Sequence, residues 1–341
     1  MRIAMVGTRG VPARYGGFET CVEEVGSRLL AAGHDVVVYC RVPEATSSQV
    51  PTRYRGMRLV HLPALRRRSL ETLSHTALSV AHITARPTDV VLLFNAANAP
   101  LLPLLRARRI PVATHVDGLE WQRAKWAGLG RRYYRVAESL AVRWSDALIA
   151  DANGISSYYE SEFGAATELI SYGAPIIEPR TPERLRELQL EPGRYHLVVA
   201  RFEPENHVDV IVRGYCASSA RYPLVVVGTA PYADEYTARV KSLADARVRF
   251  LGGVWDQSLL NELYANALTY QHGHSVGGTN PSLLRAIGAG AATDAFSVSF
   301  NREVLGDAGR YWSTAHDVSE LVQHAEQDLD ATTHRGERCR A

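Results

Sequence analysis

Short apolar runs rich in Val, Ile and Leu alternate along the chain with longer stretches of helical period, a pattern that predicts β/α units around parallel sheets. In the first half the predicted strands are 2–6, 35–40, 58–62, 89–94, 110–115, 147–150 and 168–171, separated by helices over 17–32, 69–85, 99–108, 130–144 and 153–162. The alternation lapses in GAPIIEPRTPERLRELQLEPGRY, residues 173–195, whose Pro, Glu and Arg content reads as a linker with one short helix. It then resumes with strands 196–200, 223–227, 247–250, 267–270 and 291–293 and helices 207–218, 233–244, 256–265 and 281–288. The residues from 328 to 341, DLDATTHRGERCRA, show little amphipathic period.

A chain of 341 residues exceeds what one core usually fills. The expected class is therefore α/β with two doubly wound, Rossmann-like domains: 1–175, a linker over 176–195, then 196–315 and a tail over 316–341. Ligands of such sheets collect beyond the carboxyl ends of the strands, so the two domains are expected to face each other across a cleft. Apolar residues at 46% suffice for two cores, and charged residues at 22% are too well mixed with them for disorder.

Cys21, Cys40, Cys216 and Cys339 form no C-x-x-C pair, which argues against a disulfide framework or zinc site and fits a reducing compartment. The first strand begins at once without a signal-peptide layout, and no apolar run approaches the ~20 residues of a membrane span. A cytoplasmic protein is expected. The net charge of +2 divides unevenly: residues 1–175 hold 21 Lys/Arg against 15 Asp/Glu, leaving +6 on the first half and −4 on the second. The excess centres on Arg66, Arg67, Arg68, Arg106, Arg108, Arg109, Arg131, Arg132, Arg135 and Arg143. Such a face either rests on anionic lipid at the inner side of a membrane or is simply solvated. No nucleic-acid partner is expected.

Three segments carry candidate chemistry. In RIAMVGTRGVPARYGGFETCVEEVGSRLLAAGHDVVVYCR, residues 2–41, a strand runs into a loop bearing Gly7, Gly10, Gly16 and Gly17 and then into a helix, the geometry of an anion site. Neither G-x-G-x-x-G nor G-K-[ST] is present, so a dinucleotide turn and a P-loop are both excluded. Arg9, Arg14 and Glu19 make the loop suited to phosphate and sugar together. PVATHVDGLEWQRAKW, residues 111–126, delivers His115 to a strand end with Asp117, Glu120, Arg123 and Lys125 behind it, groups that can hydrogen-bond sugar hydroxyls. Trp121 and Trp126 are either core or an apolar face for a sugar ring.

In the second half, LVVARFEPENHVD, residues 197–209, places Arg201 at a strand end, where it either holds a phosphate or pairs with Glu203 or Glu205. QHGHSVGGTNPSLLRAIGAG, residues 271–290, follows a strand with Gly277 and Gly278 and starts a helix at Thr279-Asn280-Pro281, where a diphosphate would meet N–H donors and the helix dipole. His272 and His274 lack a third ligand nearby, so no metal is expected.

Together, VGTRGVPARYGGFET, THVDGLEWQRAKW, ARFEPEN and GHSVGGTNPSLL resemble the retaining, family-4-like glycosyltransferases of the GT-B fold, in particular the rhamnosyltransferase-like subgroup of bacterial cell-surface polysaccharide synthesis. The resemblance covers about residues 1–315. It implies a nucleoside diphosphate sugar held by the C-terminal domain and a glycan or lipid-linked acceptor received by the N-terminal one, with no metal or other cofactor. His115 would lie beside the transferred sugar and Arg201 would pair with the diphosphate, and these two are the implied catalytic residues. Gly16, Gly17, Asn206, His274, Gly277, Gly278, Thr279, Asn280 and Arg285 complete the implied donor site; Arg14, Glu19, Asp117 and Glu120 are the implied acceptor contacts. The transferred sugar is expected to be a hexose or deoxyhexose, rhamnose before others, moved with retention of configuration.

Two positions depart from the wider family pattern. Glu205-Asn206-His207 offers no Lys after Arg201, and Gly277 and Arg285 stand where two Glu are usual, the second a ribose contact. Arg285 motivates one alternative, a degenerate sugar-nucleotide-binding subunit that assists an active partner. Nucleotide-sugar 2-epimerisation is the other.

Overall fold

The computed structural model describes residues 1–13, 17–42, 50–65, 70–116, 118–122, 128–178, 183–229 and 234–341. The chain divides into two compact units, Met1–Ser171 and Tyr172–Ala341.

The first unit runs β1 (Arg2–Val6), α1 (Gly17–Ala31), β2 (Asp35–Arg41), β3 (Arg53–Tyr54), β4 (Met57–Leu62), α2 (Glu71–Thr84), β5 (Val90–Phe94), α3 (Leu102–Ala107), β6 (Val112–His115), α4 (Leu129–Trp144), β7 (Ala147–Ala150), α5 (Asn153–Phe163) and β8 (Glu168–Leu169). Its sheet has the order β3-β4-β2-β1-β5-β6-β7-β8, parallel except where β3 meets β4. Alternation explains the layers: Ala4 and Val6 of β1 join one core with Val37, Val91 and Val112, while Ile3 and Met5 join a second with Val36, Val38 and Phe94.

The second unit contains α6 (Glu183–Glu187), β9 (His196–Val199), α7 (Val208–Ala217), β10 (Leu224–Val227), α8 (Asp234–Ser242), β11 (Val248–Gly252), α9 (Gln257–Ala265), β12 (Thr269–His272), α10 (Pro281–Gly288), β13 (Ala292–Phe296), α11 (Ser299–Leu305), β14 (Arg310–Trp312), α12 (Ala315–Gln327) and α13 (Leu329–Arg340). Its six strands are all parallel, in the order β11-β10-β9-β12-β13-β14. Leu197, Val225 and Val227 face one core, Val198, Leu224 and Val226 the other.

Two segments differ from the sequence reading. Residues 176–195 lie in the second unit: Ile177, Leu185, Leu190 and Tyr195 are buried in its core, and the Tyr195 hydroxyl donates to the Leu263 carbonyl at 2.6 Å. The tail is helical despite its weak amphipathic period. Thr314 and Asp317 form a capping box at α12, and Asp328 caps α13 by accepting from the Ala331 N–H at 2.9 Å. An apolar period is missing from this stretch because α13 docks through polar groups. Its Arg335 pairs with the fully buried Asp294 of β13 at 2.9 Å and donates to the Thr293 carbonyl at 2.7 Å, while Gly336 lies against the Gly290 backbone.

Candidate functional site

Both sheets reverse their winding between neighbouring strands, at β1/β5 in the first unit and β9/β12 in the second. Ligands of open α/β sheets bind outside the carboxyl ends at such switch points. Each site is built from loops leaving those strands.

In the first unit the loop after β1 is set by packing. Gly7 and Gly10 have φ of +101° and +100°, and a Cβ would strike the Phe94 carbonyl at Gly7 or the Cys40 side chain and Cα at Gly10. These glycines answer to the backbone of β5 and β2. Glu19 and Glu23 of α1 reach back and accept from the N–H groups of Arg9 (3.0 Å) and Ala13 (2.8 Å). Glu19, expected at the acceptor, is thus a buried clamp of the loop, and burial pushes its carboxyl pKa up. Gly17 opens α1. Gly16, Arg14, Asp117 and Trp126 lie outside the described residues.

His115 ends β6 beside this loop's neighbours. Its ring stacks on Phe94 (5.6 Å between centroids) and meets Phe18 edge-on (5.3 Å). It is 6% exposed, and burial brings its pKa down to about 4, so the imidazole is neutral near pH 7. Glu120 is buried in a 3-10 turn over Glu120–Gln122. Trp121, half-buried, carries the Arg135 guanidinium 5.2 Å from its ring centroid. Asn95, which pattern alone did not single out, stands at φ +71° just past β5 and caps the following turn by accepting from Ala97 N–H at 2.8 Å.

In the second unit, Arg201 leaves β9 and pairs with Glu203 at 3.6 Å while keeping about a third of its side chain exposed. Asn206 ties the neighbourhood together. Its Nδ2 donates to the Arg201 carbonyl at 2.8 Å, and its Oδ1 lies 2.8 Å from Nδ1 of His274, across the switch point. Ser275 donates from N–H and hydroxyl to the Glu205 carbonyl at 2.9 and 3.0 Å, and Gly273 fits against the Asn206 carbonyl where a Cβ would collide. The loop after β9 and the loop after β12 are therefore one laced surface.

Behind it, Gly277 (φ +128°), Gly278 and Thr279 lead to Asn280, which caps α10 by accepting from the Ser282 N–H at 2.9 Å, with Pro281 at the first helical position. Tyr270 donates to Ser282 at 2.9 Å and holds that turn against β12. His272 is buried and neutral, its pKa brought down to about 3. Among the described residues no group of three or more His, Cys, Asp or Glu is arranged for a metal ion. Arg285 turns to α9 and donates to Gln257 Oε1 at 2.8 Å.

The first unit also matches a known domain model over residues 16–173, described as a Glycosyl transferase 4-like domain. The O-antigen chain mannosyltransferase B of Escherichia coli is 27% identical over 161 residues, a match that spans 44% of this chain and 42%, less than half, of that relative. Among solved structures, a sucrose-phosphate synthase from Thermosynechococcus elongatus superposes with a TM-score of 0.86 at 18% identity over 99% of this chain and 93% of that one. HepE of Anabaena, solved in complex with UDP and glucose, gives 0.80 at 15% identity over 99% and 93%. These likenesses show the fold: GT-B, with two parallel-dominated α/β units. No helix among the described residues is long and apolar enough to cross a membrane.

Proposed function

We propose that this chain is a glycosyltransferase that moves a hexose or deoxyhexose, rhamnose before others, from a nucleoside diphosphate sugar to a glycan or lipid-linked acceptor with retention of configuration and without a metal. The observation that carries this reading is the laced switch point of the second unit, where Asn206, bonded to the Arg201 carbonyl, meets His274 of the loop that leads to the capped N-terminus of α10. A departing diphosphate gathers negative charge, and the guanidinium, the N–H groups behind Gly277 and Gly278 and the helix dipole supply fixed positive potential for it. The acceptor hydroxyl attacks the anomeric carbon on the face the phosphate leaves, and the departing phosphate oxygen takes its proton. His115, neutral and held between aromatic rings, hydrogen-bonds the transferred sugar without adding charge. The comparisons support a sugar-nucleotide donor through the UDP-bound neighbour and a polysaccharide product through the O-antigen relative. The basic helix surfaces, with Arg131, Arg132 and Arg135 on α4, suit an acceptor presented at an anionic membrane from the cytoplasmic side.

The test is an assay pairing several nucleoside diphosphate sugars with lipid-linked acceptors, with the product's anomeric configuration read by NMR. Transfer with retention is expected; transfer with inversion, or none from any donor, overturns the reading. A second reading, a sugar-nucleotide-binding subunit without its own turnover, draws on Arg285, a cation directed to Gln257. Under it, Arg285→Glu raises donor affinity and rate; under the first, it lowers them.

A further inference from the structure

The loop that follows β9 has two sides. Glu205 and Asn206 are buried and engaged with Ser275 and His274 of the loop after β12. Pro204 and His207, which flank them, line a pocket of about 370 Å³. Asp209 of α7, Tyr236 and Arg239 of α8, Phe296 at the end of β13 and Ser313 just after β14 complete its wall. The pocket lies on the sheet face that carries α7, since Tyr236 and Phe296 pack against the cluster of Val198, Val208 and Val226. Ala286 of α10 is buried on the opposite face with Leu197 and Val225. The pocket and α10 thus belong to opposite faces of one sheet.

A volume of this size suits a small ligand. The polar groups around it both accept and donate. The Asp209 carboxylate, in a residue only 8% exposed, accepts from the Tyr236 hydroxyl at 2.8 Å and pairs with Arg239 at 3.1 Å, which fixes it and leaves it further lone pairs. Arg239, with most of its side chain exposed, has further N–H donors. His207 stands at φ +48°, and its Nδ1 lies 2.8 Å from the Pro204 carbonyl, so the proton is on Nδ1 and Nε2 is an acceptor. Burial lowers its pKa from the ordinary 6.5 against the pull of Asp209, and the ring is neutral near pH 7. The His207 and Phe296 rings meet edge-on, 4.3 Å between centroids, and form the apolar side. A phosphate here would face a carboxylate and a bare ring nitrogen. A sugar hydroxyl, which both donates and accepts, satisfies all of these groups, and the C–H face of a pyranose matches the aromatic side.

We propose that this pocket is an accessory carbohydrate site, which holds a neutral sugar unit of a glycan apart from the donor site. Sugar binding here needs no nucleotide, so the proposal stands or falls separately from the donor reading. A glycan retained at one unit keeps its other units at high effective concentration around the protein, which is the use of such a site in a transferase.

Ligand-observed NMR titration of the full chain tests it, with methyl α-rhamnoside, methyl α-mannoside, methyl α-glucoside and inorganic phosphate, each with and without excess UDP. At least one glycoside is expected to bind, with an affinity that neither UDP nor phosphate changes. Arg239→Ala and His207→Asn should each weaken that glycoside about fivefold or more, the scale of one lost hydrogen bond. Asn tolerates the left-handed backbone at position 207, and an unchanged melting temperature separates lost binding from lost folding. Phe296→Leu keeps apolar volume without the flat ring and should weaken the glycoside as well. Absence of binding by every glycoside, displacement of the bound one by UDP or phosphate, or wild-type affinity in both Arg239→Ala and His207→Asn overturns the proposal. Failure of UDP to bind the wild type, read by calorimetry, would instead remove the donor reading and leave this site standing.

Discussion

Asn206 joins two loops that are 68 residues apart in sequence: it donates to the Arg201 carbonyl and meets the His274 imidazole, each at 2.8 Å. A single amide therefore ties the backbone at Arg201 to the loop that leads to α10. Asn206→Ala is expected to lower kcat/KM by roughly 10- to 100-fold, the equivalent of losing buried hydrogen bonds worth about 1–3 kcal/mol. Asn206→Asp keeps an acceptor toward His274 but loses the donor toward Arg201 and should fall between. Steady-state kinetics with saturating acceptor decide; wild-type rates in Asn206→Ala would contradict the lacing as a catalytic requirement.

His115 is expected to act as a neutral hydrogen-bonding group. His115→Ala should reduce kcat by about 100-fold, on the scale of losing one preorganised polar contact to a transition state. Because burial depresses its pKa to about 4 from an ordinary 6.5, its stabilising effect is complete above 6.5 and is lost as pH falls through about 4. The rate profile between pH 6 and 8 should then contain no limb that disappears in the variant.

Gly10→Ala should destabilise the first unit by more than about 2 kcal/mol, since positive φ and a collision with the Cys40 backbone act together. Cys40→Ala in the same chain should not rescue it, because the Cys40 Cα is itself in the way. Urea denaturation monitors both variants.

Glu138 is 3% exposed, accepts from the Tyr158 hydroxyl at 2.8 Å, and has Arg135 and Glu162 near it. Burial pushes its carboxyl pKa up to about 7 from 4.5, so the folded state holds a proton that the unfolded state has lost. Its contribution to stability therefore declines as pH rises from 4.5 to about 7. Relative to Glu138→Gln, wild type should lose about 1–3 kcal/mol between pH 4.5 and 8, a figure set by 1.36 kcal/mol per pKa unit and discounted for solvent access. Parallel denaturation curves at the two pH values read this out.

Arg335→Met leaves the Asp294 carboxylate, fully buried in β13, without its cation, and should cost about 3–5 kcal/mol. Adding Asp294→Asn should recover much of that loss, since the neutral amide still meets Gln271, now 2.6 Å from the carboxylate. Equal stability of the single and double variants would show that the pair does not hold α13.

The β/α rhythm, the two sheets and the loops bearing Arg201, His115 and Asn280 are all carried by local pattern, because strand period, helix period and capping residues act over a few neighbours. Local pattern said less of α13, whose sequence shows little amphipathic period and whose inner face is Thr332, Arg335 and Gly336. That face meets a carboxylate contributed by β13, Asp294. Gly7 and Gly10 belong to a loop whose pattern alone does not say what lies against it, and there the backbones of β5 and β2 meet them. Arg285 likewise looked like a cation replacing a carboxylate, and its partner Gln257 lies 28 residues away. Local periodicity could name the elements and the residue types at their ends. Strand order and the packing of helices on the sheets chose which of those residues touch, because such contacts join positions that no short window of sequence contains.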